Sequence, residues 1–362
     1  MSEIEKFVGN ILTENYDLGK IMGVTKIKEG DTNNSFLALA DDEGKNTQWY
    51  VRQYNRFEEE QDIIYEHAFE KYLAERVNGE IQTLLPVPTK TGATWVVEKF
   101  EGEDNFYAVF NVINGNEPYS WEFNDLSPNA MRSCAEITAK FHAWGCGFEP
   151  PAGSGRHEEP LIDQLDQWVI DFPAALEEKK KSPEIFRRFT DYLEKEIPYL
   201  IETSRLCRAE LEKVKDDLPM CINHKDMNPG NVMFDDDDNV NAVFDMDWCN
   251  MDYRIYDIAW MGYQAIASWD TDAWGAVPVE EIQSFIDNYN RIMIERNCPL
   301  GPLDETELAF LPTMMIIGML KVLADFICYE DHTHDPYRVF VNTWRFISSV
   351  KYMRNYLENK GK

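Results

Sequence analysis

Apolar positions along the chain follow two periods, and the change from one to the other divides it. Residues 3–18 place Ile4, Phe7, Val8, Ile11 and Leu12 at helical spacing, which predicts an amphipathic helix. From Gly23 the period shortens. Residues 24–27, 35–39 and 48–54 are strand-like, separated by polar turns at 30–34 and 41–46. A helix follows in EEEQDIIYEHAFEKYLAERV, then strands at 84–87 and 94–100 flank a turn at 89–93. Beyond Gly102 the helical period dominates. Ser127 caps a helix over 127–144, with Pro128 in its first turn, and residues 161–215 are helical in pattern. After Gly262 the chain is helical to its end, with interruptions at 269–278 and 297–304.

One stretch departs from this alternation. Between Cys221 and Gly262 stands CINHKDMNPGNVMFDDDDNVNAVFDMDWCNMDYRIYDIAWMG. Residues 232–234 and 240–244 read as two short strands joined by a polar turn at 235–239, a β-hairpin whose ends bring Asn231 and Asp245 together. Asp226 and Asn231 fit H-x-D-x-x-x-x-N, a spacing that lets one loop offer a carboxylate to a hydroxyl and an amide oxygen to a metal. Asn231 and Asp245 are oxygen donors of the kind Mg2+ prefers, and Asp226 is placed to take an acceptor proton. A turn alone explains Asn228, Pro229 and Gly230, but not His224, Asp226, Asn231 and Asp245 at these intervals. Asp235 to Asp238 is expected to be a solvated hairpin tip, and His224 a structural residue.

HKDMNPGNVMF followed by AVFDMDWCNMDYRIYDIAWMG resembles the catalytic core of the aminoglycoside phosphotransferase and choline kinase superfamily, which includes type II homoserine kinases and methylthioribose kinases. The resemblance implies an α+β, bilobal protein-kinase-like fold: a small β-rich N-lobe with one main helix over a larger, mainly helical C-lobe. It implies Asp226 as catalytic base, Asn231 and Asp245 as metal ligands, Asp247 as a further ligand, and Asp257 as a buried brace for the catalytic loop. ATP and Mg2+ are the implied cofactors. The turn with Gly30, Asn33 and Asn34 takes the place of the nucleotide-covering loop, and backbone groups of Glu98, Lys99 and Phe100 the place of the adenine-binding linker. The strand over 48–54 takes the place of the one carrying the phosphate-pairing cation, which here is Arg52 rather than lysine; Glu66 is its expected partner, with Glu70 one turn on as the alternative. Lys225 stands where small-molecule kinases usually have glycine, and is expected to be a surface cation among acids. The resemblance is specific over 221–262, thinner over 23–100, and fades between 150 and 219. These matches divide the chain into a nucleotide-binding lobe, 1–101, and a catalytic and acceptor-binding lobe, 102–362, with 150–219 as the helical acceptor-site segment.

Composition narrows the setting. A 44% hydrophobic, 13% aromatic chain of 362 residues forms a large core. Its 65 acidic against 35 basic residues give a formal charge of −30, which argues against nucleic acid or an anionic membrane as partner. Seven scattered cysteines without a C-x-x-C pair indicate reduced thiols, hence a cytoplasmic protein, and no zinc site. The N-terminal residues lack a secretory pattern, and the apolar run 308–328, interrupted by Pro312, Lys321 and Asp325, reads as a buried helix. The expected protein is a monomer or homodimer that moves the γ-phosphate of ATP to a hydroxyl of a small molecule: an amino alcohol, an amino acid such as homoserine, a sugar or an aminoglycoside. The alternative is a nucleotide-binding pseudokinase or scaffold in which Arg52 marks lost chemistry. The tryptophans at 248, 260, 269, 274 and 344 fit core packing better than a cage for a quaternary ammonium.

Overall fold

The computed structural model describes residues 2–27, 33–54, 59–122, 125–156, 158–181, 187–267, 275–329 and 336–359. Its elements are α1 (Glu3–Asn15), β1 (Lys20–Lys26), β2 (Asn34–Asp42), β3 (Lys45–Gln53), α2 (Glu60–Val77), β4 (Gln82–Thr83), β5 (Val96–Phe100), β6 (Glu103–Asn111), α3 (Pro128–Gly145), α4 (Leu161–Lys179), α5 (Arg187–Val214), β7 (Met220–Asn223), β8 (Val232–Phe234), β9 (Val240–Val243), β10 (Asn250–Tyr253), α6 (Ile255–Ile266), α7 (Ile282–Glu295), α8 (Glu305–Ala324) and α9 (Pro336–Asn359). The chain forms two compact units. Unit 1 comprises Met1–Asn116, Gly147–His157 and Asn241–Asp247; unit 2 comprises Glu117–Cys146, Glu158–Val240 and Trp248–Lys362.

Unit 1 is built on an antiparallel sheet in the order β1-β2-β3-β6-β5. Strand alternation turns Phe36, Ala38 and Ala40 of β2 inward, where they meet Val8, Ile11 and Leu12 of α1, Val51 of β3 and Val109 of β6 in one core. The side chain of Ser2 accepts from Glu5 N while that of Glu5 accepts from Ser2 N, a capping box that satisfies first-turn donors of α1.

Two sequence expectations are corrected here. Residues 84–87 are not a strand of their own: β4 is only Gln82–Thr83, paired in parallel with Ala242 and Val243 of β9, while Pro86 makes a single bridge to Phe110. Pro86 has no N–H to continue a ladder. The lobe boundary expected near Gly102 falls inside a hairpin. Glu101 and Gly102 both have positive φ, 53° and 93°, which suits a two-residue loop matching the strand twist. The loop turns β5 into β6, and unit 1 continues to Asn116. A Glu-Gly pair is a weaker turn signal than Asn-Gly, which hid this strand.

Unit 2 is mainly helical. Ser127 Oγ accepts from Ala130 N at 3.1 Å and Pro128 occupies the first turn of α3, as its sequence predicts. Strands β7 and β10 pair antiparallel, from Met220↔Tyr253 to Asn223↔Asn250. Helix α8 and its π-helical extension Asp325–Tyr329 form the one segment among the described residues long and apolar enough to cross a membrane; 83% of that apolar window is buried within the protein. The acidic tip 235–238 is not simply solvated. Asp238 Oδ2 accepts from Ser127 Oγ at 2.6 Å and Asn129 Nδ2 donates to Asp237 O, so the tip is bonded to the start of α3.

Candidate active site

In unit 2 the loop after β7 is held from behind by one carboxylate. Asp257, in the first turn of α6, is fully buried and accepts from His224 N at 2.6 Å and Lys225 N at 2.9 Å. His142 of α3 meets its Oδ2 at 3.3 Å and Tyr289 of α7 at 2.9 Å. Asp257 therefore fixes two consecutive loop amides, the bracing role the resemblance implies for it. His224 is structural as expected, its ring packed on Phe141 at 5.6 Å.

Asp226 follows immediately and is gripped by three side-chain donors. Asn228 Nδ2 reaches Oδ1 at 2.9 Å, Trp260 Nε1 the same oxygen at 3.3 Å, and Asn231 Nδ2 reaches Oδ2 at 2.7 Å. Both amides also bond to Asp226 O, at 3.0 and 2.9 Å. Burial raises the carboxyl pKa above its ordinary value, while His224 and the bonds from Asn228, Asn231 and Trp260 pull it down. The result is a partly buried carboxylate of fixed direction, suited to accept a proton. Because both Asn231 bonds to Asp226 use its amide nitrogen, the amide oxygen stays available as a hard donor.

Lys225 corrects an expectation. It is paired with acids, but it is buried, not a surface cation. Its Nζ bonds to Asp252 Oδ2, lies 3.6 Å from Glu158 Oε2 and sits 4.3 Å over the Tyr256 ring. Glu158 in turn bonds Lys321. Lys225 keeps the left-handed backbone, φ 69°, that favours glycine at this position, and its buried ion pairs offset that cost.

Unit 1 carries a second constellation. Arg52 on β3 is 2% exposed; Nη1 bonds Glu66 Oε1 at 2.8 Å and Nη2 lies 3.3 Å from Asp245 Oδ1. Burial opposes its charge, yet Tyr50, Glu66, Tyr54 and Asp247 together drive its ionisation further up, so it is a permanent cation. Glu66, rather than the alternative Glu70, is the partner. Tyr54 Oη is bonded to Glu66 Oε2 at 3.2 Å and to His67 Nε2 at 2.9 Å, and His67 Nδ1 to Thr94 Oγ1 at 2.7 Å. Burial, with Arg52, Lys71 and Arg156, drops the His67 pKa to about 3, so this chain contains a neutral imidazole.

Asp247 accepts from Asn33 Nδ2 at 2.9 Å through Oδ2, while its Oδ1 is buried without a hydrogen-bond partner. Asp245 is half-exposed, with φ 67°. A buried carboxylate oxygen left open beside a second carboxylate fits a hard divalent cation, which takes one or two carboxylates and fills its other positions with phosphate and water. The amide oxygen of Asn231 is a donor of the same type.

The other nucleotide-site residues fare differently. Gly30 lies outside the described residues. Asn34 is tied to Gln53 Oε1 at 3.2 Å, and Gln53 to Asn105 Oδ1 at 2.9 Å, an amide ladder across β2, β3 and β6. Glu98, Lys99 and Phe100 are paired with Asn105, Asp104 and Glu103 in mid-hairpin, and the Phe100 ring packs on Phe7 at 5.0 Å. Their expected place in a linker is therefore corrected: the chain leaves unit 1 only after Asn116.

The model of the phosphotransferase enzyme family matches residues 23–293, about three quarters of the chain. The chain belongs to the phosphotransferase enzyme family. Solved structures of similar fold include a microcompartment-associated aminopropanol kinase (TM-score 0.69, 17% identity, 98% of each chain covered) and an amicoumacin kinase in complex with AMP-PNP and Ca2+ (0.66, 15%, 96% of this chain and 93% of that one). A choline kinase from Cryptosporidium parvum Iowa II is also similar (0.62, 16%, 98% and 97%). No curated protein matches in sequence. The expected α+β class and kinase-like fold are thus present in this phosphotransferase. Sequence reading missed Asn228 and Trp260 as partners of Asp226, and Asp252 and Glu158 as partners of Lys225. Asn228 stood in the motif but read as a turn former, Trp260 read as core, and the two acids carried no signal among 65.

Proposed function

We propose that this member of the phosphotransferase family transfers the γ-phosphoryl group of ATP, with Mg2+, to a hydroxyl of a small molecule: an amino alcohol, an amino acid such as homoserine, a sugar or an aminoglycoside. The observation that carries the reading is the three-donor grip on Asp226, which aims one carboxylate and leaves the Asn231 amide oxygen for a cation. In this mechanism Asp226 orients the acceptor hydroxyl and takes its proton as the oxygen attacks in line, without a phosphoenzyme. Arg52, held by Glu66, pairs with nucleotide phosphate. Asn231, Asp245 and Asp247 would hold the metal, which when bound supplies positive charge to the β and γ oxygens. Asn33 holds Asp247 by its other oxygen, which supports a ligand role for that carboxylate.

Seven scattered cysteines without a C-x-x-C pair support a reducing, cytoplasmic setting, and the charge of −30 supports a free small molecule rather than nucleic acid or membrane as partner; the protein acts as a monomer or homodimer in this reading. The test is ADP release from ATP and Mg2+ over a panel of homoserine, choline, ethanolamine, methylthioribose, hexosamines and aminoglycosides, with Asp226→Asn as blank. ATP binding without turnover of any candidate would favour the pseudokinase reading.

A further inference from the structure

We propose that Cys146 and Cys298 are a disulfide-forming pair, a thiol modification site at the junction of α3 and α7 that peroxides or small disulfides oxidise. Their sulfurs lie 3.5 Å apart although the residues are separated by 152 positions. A disulfide requires about 2.05 Å, so oxidation must draw the two sulfurs closer together. The neighbouring backbone is well fixed on both sides. Cys146 directly follows α3, and Cys298 sits in the turn after α7, where its N–H bonds to Met293 O at 3.0 Å and its carbonyl accepts from Gly301 N at 2.9 Å. The two helices are themselves cross-linked by the His142–Tyr289 hydrogen bond at 2.9 Å and by Arg291 to Glu136 at 2.6 Å.

The pair also differs chemically from other cysteines of the chain. Burial pushes the thiols of Cys134, Cys207 and Cys328 up to about 12. Cys298 instead falls to about 6, because the hydrogen bond it shares with Cys146, the backbone at Leu300 and Arg254 act against burial. Cys146 is raised by the same bond and by burial. One proton shared between two sulfurs 3.5 Å apart favours a thiolate within the pair, and the thiolate is the nucleophilic form of cysteine. Cys298 is buried and Cys146 partly exposed, so a small oxidant reaches the Cys298 sulfur from the Cys146 side.

With hydrogen peroxide, the Cys298 thiolate attacks one peroxide oxygen, the O–O bond breaks, and the departing hydroxide takes from solvent the proton that the Cys298 thiol released on ionising and leaves as water. Cys298 is then a sulfenic acid. Cys146 sulfur attacks the Cys298 sulfur, the S–O bond breaks, and the Cys146 proton leaves with the hydroxyl as a second water. Two thiols and one peroxide become one disulfide and two waters.

The full-length protein is treated with hydrogen peroxide, denatured, alkylated and analysed by intact mass and peptide mapping. Wild type is expected to fall from seven alkylated thiols to five, with one cross-linked peptide joining 146 to 298, reversal by dithiothreitol, and a melting temperature several degrees higher in the oxidised form. Cys146→Ser and Cys298→Ser are each expected to give no cross-link. Seven thiols remaining in wild type, a cross-link through other cysteines, or oxidation of Cys298 without a cross-link would overturn the proposal.

Discussion

Trp260 donates its indole N–H to Asp226 Oδ1 at 3.3 Å, while its ring stacks on Tyr263 at 5.7 Å and Phe346 at 6.1 Å. One side chain thereby links the aromatic core of unit 2 to the carboxylate assigned as base. Trp260→Phe keeps the stacking and removes one donor to the charged form of Asp226. Its pKa, already raised by burial, should rise further. The acid limb of the kcat/KM profile is therefore expected to move to higher pH, with about a 10-fold loss of activity for a lost hydrogen bond to a charged group. An unmoved limb would remove Trp260 from the site.

Arg52 and Glu66 are 2% and 0% exposed, so neither charge reaches water. Breaking a buried pair leaves one ion uncompensated, and Glu66→Gln should cost ~3–5 kcal/mol, read as a lower urea midpoint. Arg52→Lys keeps the charge but loses the fork that spans Glu66 and Asp245. It should cost less stability than Glu66→Gln and weaken ATP binding.

Glu70 is the reverse case. Both carboxyl oxygens are buried without a hydrogen-bond partner, and burial together with Glu66 holds its pKa well above the ordinary value. Folding thus binds a proton at this group. The contribution is fully present below the unfolded-state pKa and is lost as pH rises toward the raised folded value. Glu70→Leu removes this dependence, and should stabilise the protein by about 1–3 kcal/mol at neutral pH. Equal urea midpoints for the two proteins from pH 5 to 8 would contradict the assignment.

Glu158 titrates in the opposite sense. Burial works against its charge, but Lys321 and Lys225 outweigh it and hold the pKa at about 2. Its stabilisation is present above the ordinary carboxylate value of 4.5 and is lost as pH falls from there toward about 2. Glu158→Gln should therefore be less stable than wild type at pH 6, with the gap closing below pH 4.5. Lys225→Met should cost ~3 kcal/mol at pH 6, because Asp252 then stays partly buried without its cation.

The fold was legible where periodicity was strong: α1, α2 and α3 appear within a few residues of where spacing and caps put them. The H-x-D-x-x-x-x-N loop was legible because its chemistry is carried by neighbours in sequence. What could not be read depended on distant partners. The hairpin of β5 and β6 hid behind an unremarked Glu-Gly turn, so the lobe boundary came out too early. The burial of Lys225 depends on Glu158 and Asp252, 67 positions before and 27 after it. Glu66 and Glu70, four apart, share one face of α2, so the choice between them depends on which turn of the helix lies level with Arg52, and sequence spacing does not fix that.

The proposed reaction stands or falls on Asp226 as the base that takes the acceptor proton. The most direct test compares wild type and Asp226→Asn for ADP release with the active acceptor from the panel, alongside calorimetric binding of ATP with Mg2+. Asparagine keeps the shape but cannot take the proton, so kcat is expected to fall by at least ~100-fold with nucleotide affinity nearly unchanged. Retention of most of the activity by Asp226→Asn would contradict it.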